Sequence, residues 1–237
     1  MNGSLEVAAP RRCFLLSVAL VVGSVLVTPH GAGAAEMLLQ HDSIPAGGSN
    51  NPLNTFLVGE RAASWFTSPV NGDLVGVQIQ WDSQFGGNPP SQEFAIYIYA
   101  GGTFPTPGPL LAQIVAPVLS DGSANEMRHL DPPANTLPLQ VPVTPGQSFV
   151  VALEFFNQNS GNVFASSVEI DQDGITPGVN SVFALPGGWL DAGPQGVTGD
   201  FGIRAIINQI PEPSAMLLLL LGFAPLWITS RRRSDLR

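Results

Sequence analysis

The run VGVQIQW, residues 75–81, decides the fold class because apolar and polar residues alternate along it without interruption. Successive side chains of an extended chain point to opposite faces, so one face of this segment is apolar. That face carries Val75, Val77, Ile79 and Trp81. An amphipathic helix would instead require an apolar repeat of about 3.6 residues. The run therefore predicts a half-buried β-strand, with Trp81 packed in the core.

Other segments repeat this pattern along the middle of the chain. The clear ones are residues 94–99, 149–155 and 201–207, and the weaker ones are 55–58, 63–67, 110–115, 137–141, 163–170 and 182–184. Residues that favour turns separate them, and no stretch shows a capped helical face. About ten short strands without helices are typical of a sandwich or barrel. We therefore predict an all-β fold over residues 55–210, an antiparallel two-sheet jelly-roll-like sandwich with one face of each strand in water.

The beginning of the chain has the features of a secretory signal peptide. Arg11 and Arg12 precede an apolar run at residues 13–27, and the small-residue motif Ala32-Gly33-Ala34 follows it. We therefore predict a helical signal peptide over residues 1–34 that is cleaved on export. A flexible mature N-terminus over residues 35–54 is then expected to precede the sandwich.

The end of the chain combines three features in order. A Pro-Glu-Pro tripeptide at residues 211–213 is followed by an apolar run at 215–228 and then by an arginine cluster. Proline keeps the first segment extended, and the apolar run predicts a membrane helix with the arginines on the cytoplasmic side. The residues with an expected sorting role are Pro211, Glu212, Pro213, Arg231, Arg232 and Arg233.

This arrangement resembles the PEP-CTERM sorting signal of exported proteins from Gram-negative bacteria that make exopolysaccharide. The resemblance implies that residues 211–237 are a sorting signal with a transmembrane helix, recognised and cleaved by an exosortase, a membrane-embedded cysteine transpeptidase. It also implies transient anchoring in the inner membrane before delivery to the cell surface or extracellular matrix. An ordinary single-pass anchor is the alternative interpretation.

Charge and cysteine content exclude several classes of function. Residues 35–210 contain fifteen carboxylates and three arginines, a net charge near 15 − 3 = 12 negative, and the chain has no lysine. Such a surface repels phosphate backbones, so nucleic acid is not an expected partner. The one cysteine, Cys13, lies in the predicted signal peptide. The exported domain therefore relies on its core alone, without disulfides or thiolate chemistry.

The middle of the chain carries a second resemblance. Its closing segment, VEIDQDGITPGVNSVFALPGGWLDAGPQGVTGDFGIRAII at residues 168–207, is similar to the end of a sandwich domain found in secreted, surface-sorted bacterial proteins. A Pro-Gly-Gly-Trp turn there leads into a final strand with the pattern FxIRA. Such domains resemble carbohydrate-binding modules in architecture, which is an analogy of fold and does not establish function.

Two groups of residues are candidates for ligand binding. Asp171 and Asp173, in the run Asp-Gln-Asp-Gly, resemble the start of a calcium loop, although no further carboxylate follows Gly174 closely. An ordinary Asp-Gly turn is the alternative, so no resident cofactor is expected. Aromatic residues provide the second group, in which Tyr97, Tyr99 and Trp189 are candidates for stacking on a glycan. Core or capping roles are the alternative for the tryptophans.

Catalysis is poorly supported by the sequence. The expected domain retains His41 and His129 but has no cysteine and no G-x-S-x-G elbow, so no catalytic residue is assigned. Our first hypothesis is an exported protein without catalytic activity, with a structural or binding role in the envelope or exopolysaccharide matrix. A carbohydrate-binding module for matrix glycan is the alternative. A glycan-active enzyme is the third, because two carboxylates can meet in space without a local motif.

Overall fold

The computed structural model describes residues 35–45, 51–53, 56–82, 91–156 and 166–210. The predicted signal helix and the predicted transmembrane helix, within residues 1–34 and 211–237, lie outside these ranges. Among the described residues, no helix combines the length and the apolar character that a membrane crossing requires.

The described residues form an all-β structure, as predicted. Their one helical segment is a single 3-10 turn at Gly193–Gln195. The strands are β1 (Glu36–Leu39), β2 (Asn51–Pro52), β3 (Arg61–Thr67), β4 (Gly72–Asp82), β5 (Ser91–Gln92), β6 (Ala95–Ala100), β7 (Leu110–Val115), β8 (Val118–Leu119), β9 (Ser123–Met127), β10 (Val141–Val143), β11 (Ser148–Glu154), β12 (Ser167–Ile170), β13 (Asn180–Phe183), β14 (Trp189–Asp191) and β15 (Ile203–Gln209).

Two antiparallel sheets form a β-sandwich. In the first sheet the strand order is β1-β15-β4-β12-β2, and β9 and β10 also pair with β4. In the second sheet the order is β14-β13-β3-β11-β6-β7, while β5 and β8 form a separate two-stranded ladder. The main core lies between the sheets, and its largest fully buried side chains are Trp81, Phe149, Phe155 and Phe201.

The four clear alternating runs are confirmed as β4, β6, β11 and β15. Trp81 is fully buried, as predicted, and its indole N–H donates to the Glu93 carboxylate at 2.8 Å. A β-bulge opposite Ile206 and Ile207 shifts the alternation of β4 near Val75. Consequently Leu74 is fully buried and Val75 only half-buried, although the sequence places Val75 on the core side.

The second sheet does not follow the expected pattern of one buried face and one wet face. In β11 every residue after Ser148 is buried, and the first four residues of β6 are buried as well. Besides the main core, the outer face of this sheet has its own apolar cluster. Its fully buried members are Ala63, Ala95, Val150 and Ala152. The expectation that the outer face meets water is therefore wrong for the centre of this sheet.

The segment before residue 46 belongs to the sandwich. Sequence analysis places it in a flexible N-terminus, whereas Glu36–Leu39 forms β1 and pairs with β15. Asp42, 2 % exposed, accepts two hydrogen bonds from Arg204 Nε, at 3.0 and 3.2 Å, and forms an ion pair with its Nη2. Arg204 Nη2 also donates to the Ile44 carbonyl at 2.7 Å. The buried ion pair between Asp42 and Arg204 therefore holds the N-terminal segment against β15.

We expect Asp42→Asn to lower the free energy of unfolding by about 3–5 kcal/mol, because it leaves the Arg204 guanidinium buried without a counter-charge. The matched control is Glu36→Gln, which makes the same change in an exposed ion pair with Arg128. The control should leave stability nearly unchanged. Urea denaturation of the full chain measures both effects, and equal stability of the two variants would contradict a buried, structural role for Asp42.

Candidate functional site

The outer face of the second sheet carries an aromatic group that we call the outer cluster. Its members are Trp65, Tyr97, Tyr99, Phe104 and Trp189. They come from β3, β6, the loop after β6 and β14. Strand pairing brings these elements together, since β3 and β6 both pair with β11, and β13 pairs with both β3 and β14. Residues far apart in sequence therefore share one surface.

Small residues form the floor of the outer cluster. Ala63 of β3 pairs with Ala152 of β11, which in turn pairs with Tyr97 of β6. Because alanine leaves space above the sheet, the large rings can lie across it. The Trp65 ring packs edge-on against Phe104, with centroids 5.5 Å apart, and its indole N–H donates to Ser181 Oγ at 2.8 Å. Because this hydrogen bond provides the indole N–H with a partner, Trp65 can be buried, and it is only 8 % exposed.

Arg61 lies at the centre of the polar part of this face. Its guanidinium stacks on the Tyr97 ring, 4.3 Å from the centroid, and lies 5.1 Å from that of Phe183. Arg61 Nη2 forms an ion pair with Glu154 Oε2 at 2.7 Å, and Nη1 donates to the Tyr99 hydroxyl at 2.7 Å. Planar stacking and several donors in fixed directions are what a guanidinium provides and a lysine does not.

Two tyrosines of the outer cluster have raised pKa values. Burial raises the pKa of Tyr97 to about 12, and a hydrogen bond and the negative charge of Glu154 add to this rise. Burial also raises the pKa of Tyr99, against the opposing charge of Arg61. Both phenols are therefore neutral at physiological pH. They can donate or accept hydrogen bonds in this form.

The three candidate residues for glycan stacking, Tyr97, Tyr99 and Trp189, lie together. The Tyr97 and Tyr99 rings are stacked with centroids 5.7 Å apart, and Tyr99 meets Trp189 edge-on at 6.1 Å. Tyr97 is only 8 % exposed, because Arg61 and Tyr99 cover it, so it offers little ring surface for stacking on a glycan. Tyr99 and Trp189 are half-buried, so they are the members of this trio that present ring surface to solvent.

Sequence analysis assigned no binding role to the polar members of this site, Arg61 and Glu154. Arg61 begins β3 and Glu154 ends β11, and the two are partners in the ladder. One signal was available, because Arg61 is one of three arginines in residues 35–210. In the structure all three form ion pairs, Arg61 with Glu154, Arg128 with Glu36 and Glu126, and Arg204 with Asp42.

Asp171, a candidate calcium ligand, serves in the structure as an acceptor for backbone amides. Its Oδ1 accepts from the Asp200 N–H at 2.8 Å and its Oδ2 from the Ser43 N–H at 2.9 Å. Burial raises the pKa of the Asp171 carboxyl, the two amides oppose this rise, and the neighbouring Asp173 adds to it. Among the described residues, no group of three or more His, Cys, Asp or Glu side chains is arranged to hold a metal ion.

Other polar side chains of the domain, a histidine and two glutamates, have structural partners. His41 Nε2 lies 2.6 Å from the Trp65 carbonyl, and its ring stacks on Phe66. Glu93 is fully buried, where it accepts hydrogen bonds from the Trp81 indole and the Phe156 N–H. Glu126 is an exposed partner of Arg128. Their contacts join strands and loops of the sandwich.

Comparison with protein families and with curated proteins finds no family model and no curated relative that matches this chain.

The chain has two tyrosines, Tyr97 and Tyr99, so their ultraviolet titration reports on this cluster alone. We expect neither to ionise near the ordinary pKa of about 10 in the folded protein. Folded Tyr97 holds its proton more tightly than the unfolded chain does. Its contribution to stability is therefore full below about pH 10 and is lost as the pH rises through about 12.

Circular dichroism at each pH verifies that the fold persists during this titration, and the urea-unfolded chain provides the control with both tyrosines near 10. Tyr97→Phe assigns the individual steps, since it leaves Tyr99 as the one remaining phenol. Ionisation of both tyrosines near 10 in the folded protein would show that the outer cluster is open to water.

We expect Asp171→Asn to lower the free energy of unfolding by about 1–3 kcal/mol, because an amide cannot accept from both backbone N–H groups with its two side-chain atoms. Asp173→Asn is the matched control, since Asp173 is exposed and should have a much smaller effect. If the Asp171 carboxylate serves only as an acceptor for backbone amides, EDTA leaves the melting temperature of the wild type unchanged. A chelator-sensitive melting temperature that Asp171→Asn abolishes would instead indicate calcium binding.

Proposed function

We propose that this chain is an exported protein of the PEP-CTERM class, sorted to the cell envelope or exopolysaccharide matrix, with a structural or binding role and no catalytic activity. The observation that carries the proposal is the order of features at residues 211–237: Pro-Glu-Pro, an apolar run and an arginine cluster. Its partners in sorting would be an exosortase and, transiently, the inner membrane. Export is consistent with an acidic domain that has no cysteine.

The position of the domain's two ends supports this proposal. The Ala35 carbonyl accepts a hydrogen bond from Gln209 N–H at 3.0 Å, and Ile210 N–H donates to the Asn71 carbonyl at 2.9 Å. Ala35 follows the expected signal-cleavage site, and Ile210 precedes Pro211. A domain with adjacent ends can be held at a membrane by either end with the same side facing the bilayer.

The finer description of the sandwich as jelly-roll-like is part of the proposal. The chain passes repeatedly from one sheet to the other: β3 is in the second sheet, β4 in the first, β11 in the second, β12 in the first, and β13 in the second again. Such crossings between two packed sheets are typical of jelly rolls and other Greek-key sandwiches.

Carbohydrate binding is a second candidate function, favoured by the outer cluster. Tyr99 and Trp189 offer half-exposed rings, and Arg61 with Glu154 supplies fixed polar groups beside them. Apolar ring faces bordered by a few convergent polar groups are the usual composition of a small-molecule site. The ligand we expect is a neutral or weakly charged matrix glycan, because the negative domain repels polyanions.

Mass spectrometry of the protein recovered from its native envelope and medium tests the sorting proposal. We expect an N-terminus at Ala35 and a C-terminus within or near residues 211–213. Replacing Arg231, Arg232 and Arg233 together by Gln should cause unprocessed chain to accumulate, because the orientation signal is lost. Recovery of the wild type with residue 237 intact would contradict processing of the tail.

Binding of the exported protein to purified matrix exopolysaccharide tests the second candidate. We expect Trp189→Ala to weaken binding by about tenfold or more, since loss of an exposed stacking ring at a binding centre commonly costs over about 1.4 kcal/mol. Leu137→Ala is the control, because it removes an exposed apolar side chain from a hairpin outside the cluster. Absence of binding by the wild type would leave the structural role as the remaining function of this proposal.

A further inference from the structure

One line of side chains crosses the whole second sheet on its outer face. Residues that lie directly opposite each other in an antiparallel ladder point to the same side of the sheet. The successive partners from β14 to β7, which we call the outer row, are Trp189, Phe183, Arg61, Glu154, Ala95 and Val115. Trp189 and Arg61 belong to the candidate site described above. That site is therefore continuous, along the outer row, with the opposite edge of the sheet at β7.

A cavity lies at the β7 end of the outer row. Its volume is about 330 Å³, and Val115 lines it together with Gln113, Phe94 and Phe156. Gln113 is also the ladder partner of Tyr97, so one residue borders both the outer cluster and the cavity. Small-molecule sites have volumes of about 300–1,000 Å³ and combine apolar surface with a few polar groups. The cavity has both the size and the composition of such a site.

Two phenylalanine rings border the cavity and remain open to solvent. Phe94 is 50 % exposed and Phe156 52 % exposed, and their ring centroids lie 6.4 Å apart at an interplanar angle of 52°. Exposed large apolar side chains that occur together, rather than singly, mark a binding surface. An exposed aromatic ring offers a flat apolar face, on which the C–H face of a sugar ring can stack.

The backbone that carries these two rings is anchored to the sandwich. Phe156 N–H donates to the carboxylate of fully buried Glu93 at 2.6 Å. Phe94 N–H donates to the Glu154 carbonyl at 3.2 Å, and the Phe94 carbonyl accepts from Ala116 N–H at 3.0 Å. Groups that are already held in place lose little freedom when a ligand binds, and this favours affinity.

Charge and hydrogen bonding select the class of ligand. The ion pair of Arg61 with Glu154 carries no net charge, and the Gln113 amide is uncharged. A polyanion is repelled by a domain with fifteen carboxylates and three arginines. A peptide strand added to β7 would need the edge backbone, where Val115 N–H is already bonded to the Leu130 carbonyl at 3.1 Å. A neutral glycan, which has hydroxyl groups and stacks on rings, fits this surface.

We infer that a neutral linear glycan binds across the strands along the outer row, with one sugar unit on Trp189 and another on Phe156 at the cavity. This inference rests on the carbohydrate-binding role proposed above for the outer cluster. The row crosses five strand spacings of about 4.8 Å each, so its ends lie about 24 Å apart. An extended glycan advances by a comparable distance per sugar unit. The ligand is therefore an internal segment of several consecutive units, not a single terminal sugar.

Calorimetric titration of the exported protein with size-fractionated oligosaccharides from the matrix exopolysaccharide tests this inference. We expect the affinity of the wild type to rise by about tenfold or more between disaccharides and fragments long enough to reach both ends of the row, because the second ring adds a contact. Trp189→Ala should weaken the binding of short and long fragments alike. Phe156→Leu should lower the affinity for long fragments by about tenfold, because it keeps an apolar side chain but removes the ring.

Phe156→Tyr is the matched control, since it keeps the ring and should keep the dependence of affinity on fragment length. Both changes at residue 156 leave the backbone N–H that bonds to Glu93, and circular dichroism verifies the fold. Leu38→Ala, at an exposed position of β1 in the first sheet, should have no effect. Equal affinity for short and long fragments, or a length dependence that Phe156→Leu leaves intact, overturns the inference while the carbohydrate-binding role stands. Absence of binding at every length overturns both.

Discussion

Strand β15 is hydrogen-bonded on both sides, to β1 and to β4, and the rest of the domain depends on this double pairing. Its inward residues Ile203, Ala205 and Ile207 are fully buried in the main core. Between them, Arg204 points to the other face of the strand, where Asp42 holds it. The final strand therefore closes the first sheet and at the same time secures the N-terminal segment. Both ends of the domain lie side by side as a result.

The second sheet differs from the first in how its outer face is covered. Its central strands are buried on both faces, although a two-layer sandwich needs only one buried face per sheet. Alanines at the floor leave room for rings and for the Arg61 guanidinium, which cover the outer face and exclude water from it. Rings held in this way keep fixed positions, and a rigid array of side chains is what a binding surface requires. The contacts that pack the outer face of the second sheet are therefore also the contacts that form the candidate site.

The sequence predicts the fold class because alternation is a local signal. Alternating runs such as residues 75–81 predict a strand from about seven neighbouring residues alone. Strands β4, β6, β11 and β15 are predicted in this way. Strand β9, SANEM, has no such signal, and it is a strand because β4 supplies its hydrogen bonds. The sequence does not predict strand β1 for a related reason. Its extended conformation depends on pairing with β15 and on the contact of Asp42 with Arg204, which lie more than 160 residues away in sequence.

The candidate site was only partly predictable for the same physical reason. Tyr97, Tyr99 and Trp189 were found by residue type, but their degree of exposure depends on which side chains pack above them. Tyr97 is covered by Arg61, whose approach requires the pairing of β3, β11 and β6 in one register. The pairing register of these three strands cannot be predicted from any local pattern in the sequence. The carboxylates behave likewise, since Asp42 and Asp171 become buried acceptors only when distant backbone and arginine groups reach them.

Native-state hydrogen exchange of the full chain, followed by mass spectrometry of peptides, tests most directly whether the N-terminal segment is part of the first sheet. If it is, amides of Glu36–Leu39 that bond to β15 exchange at a rate close to that of the β15 amides, in one cooperative opening. Exchange of β1 at the rate of a free chain, with β15 still protected, would contradict the account. The two ends of the domain would then not be held together by this sheet.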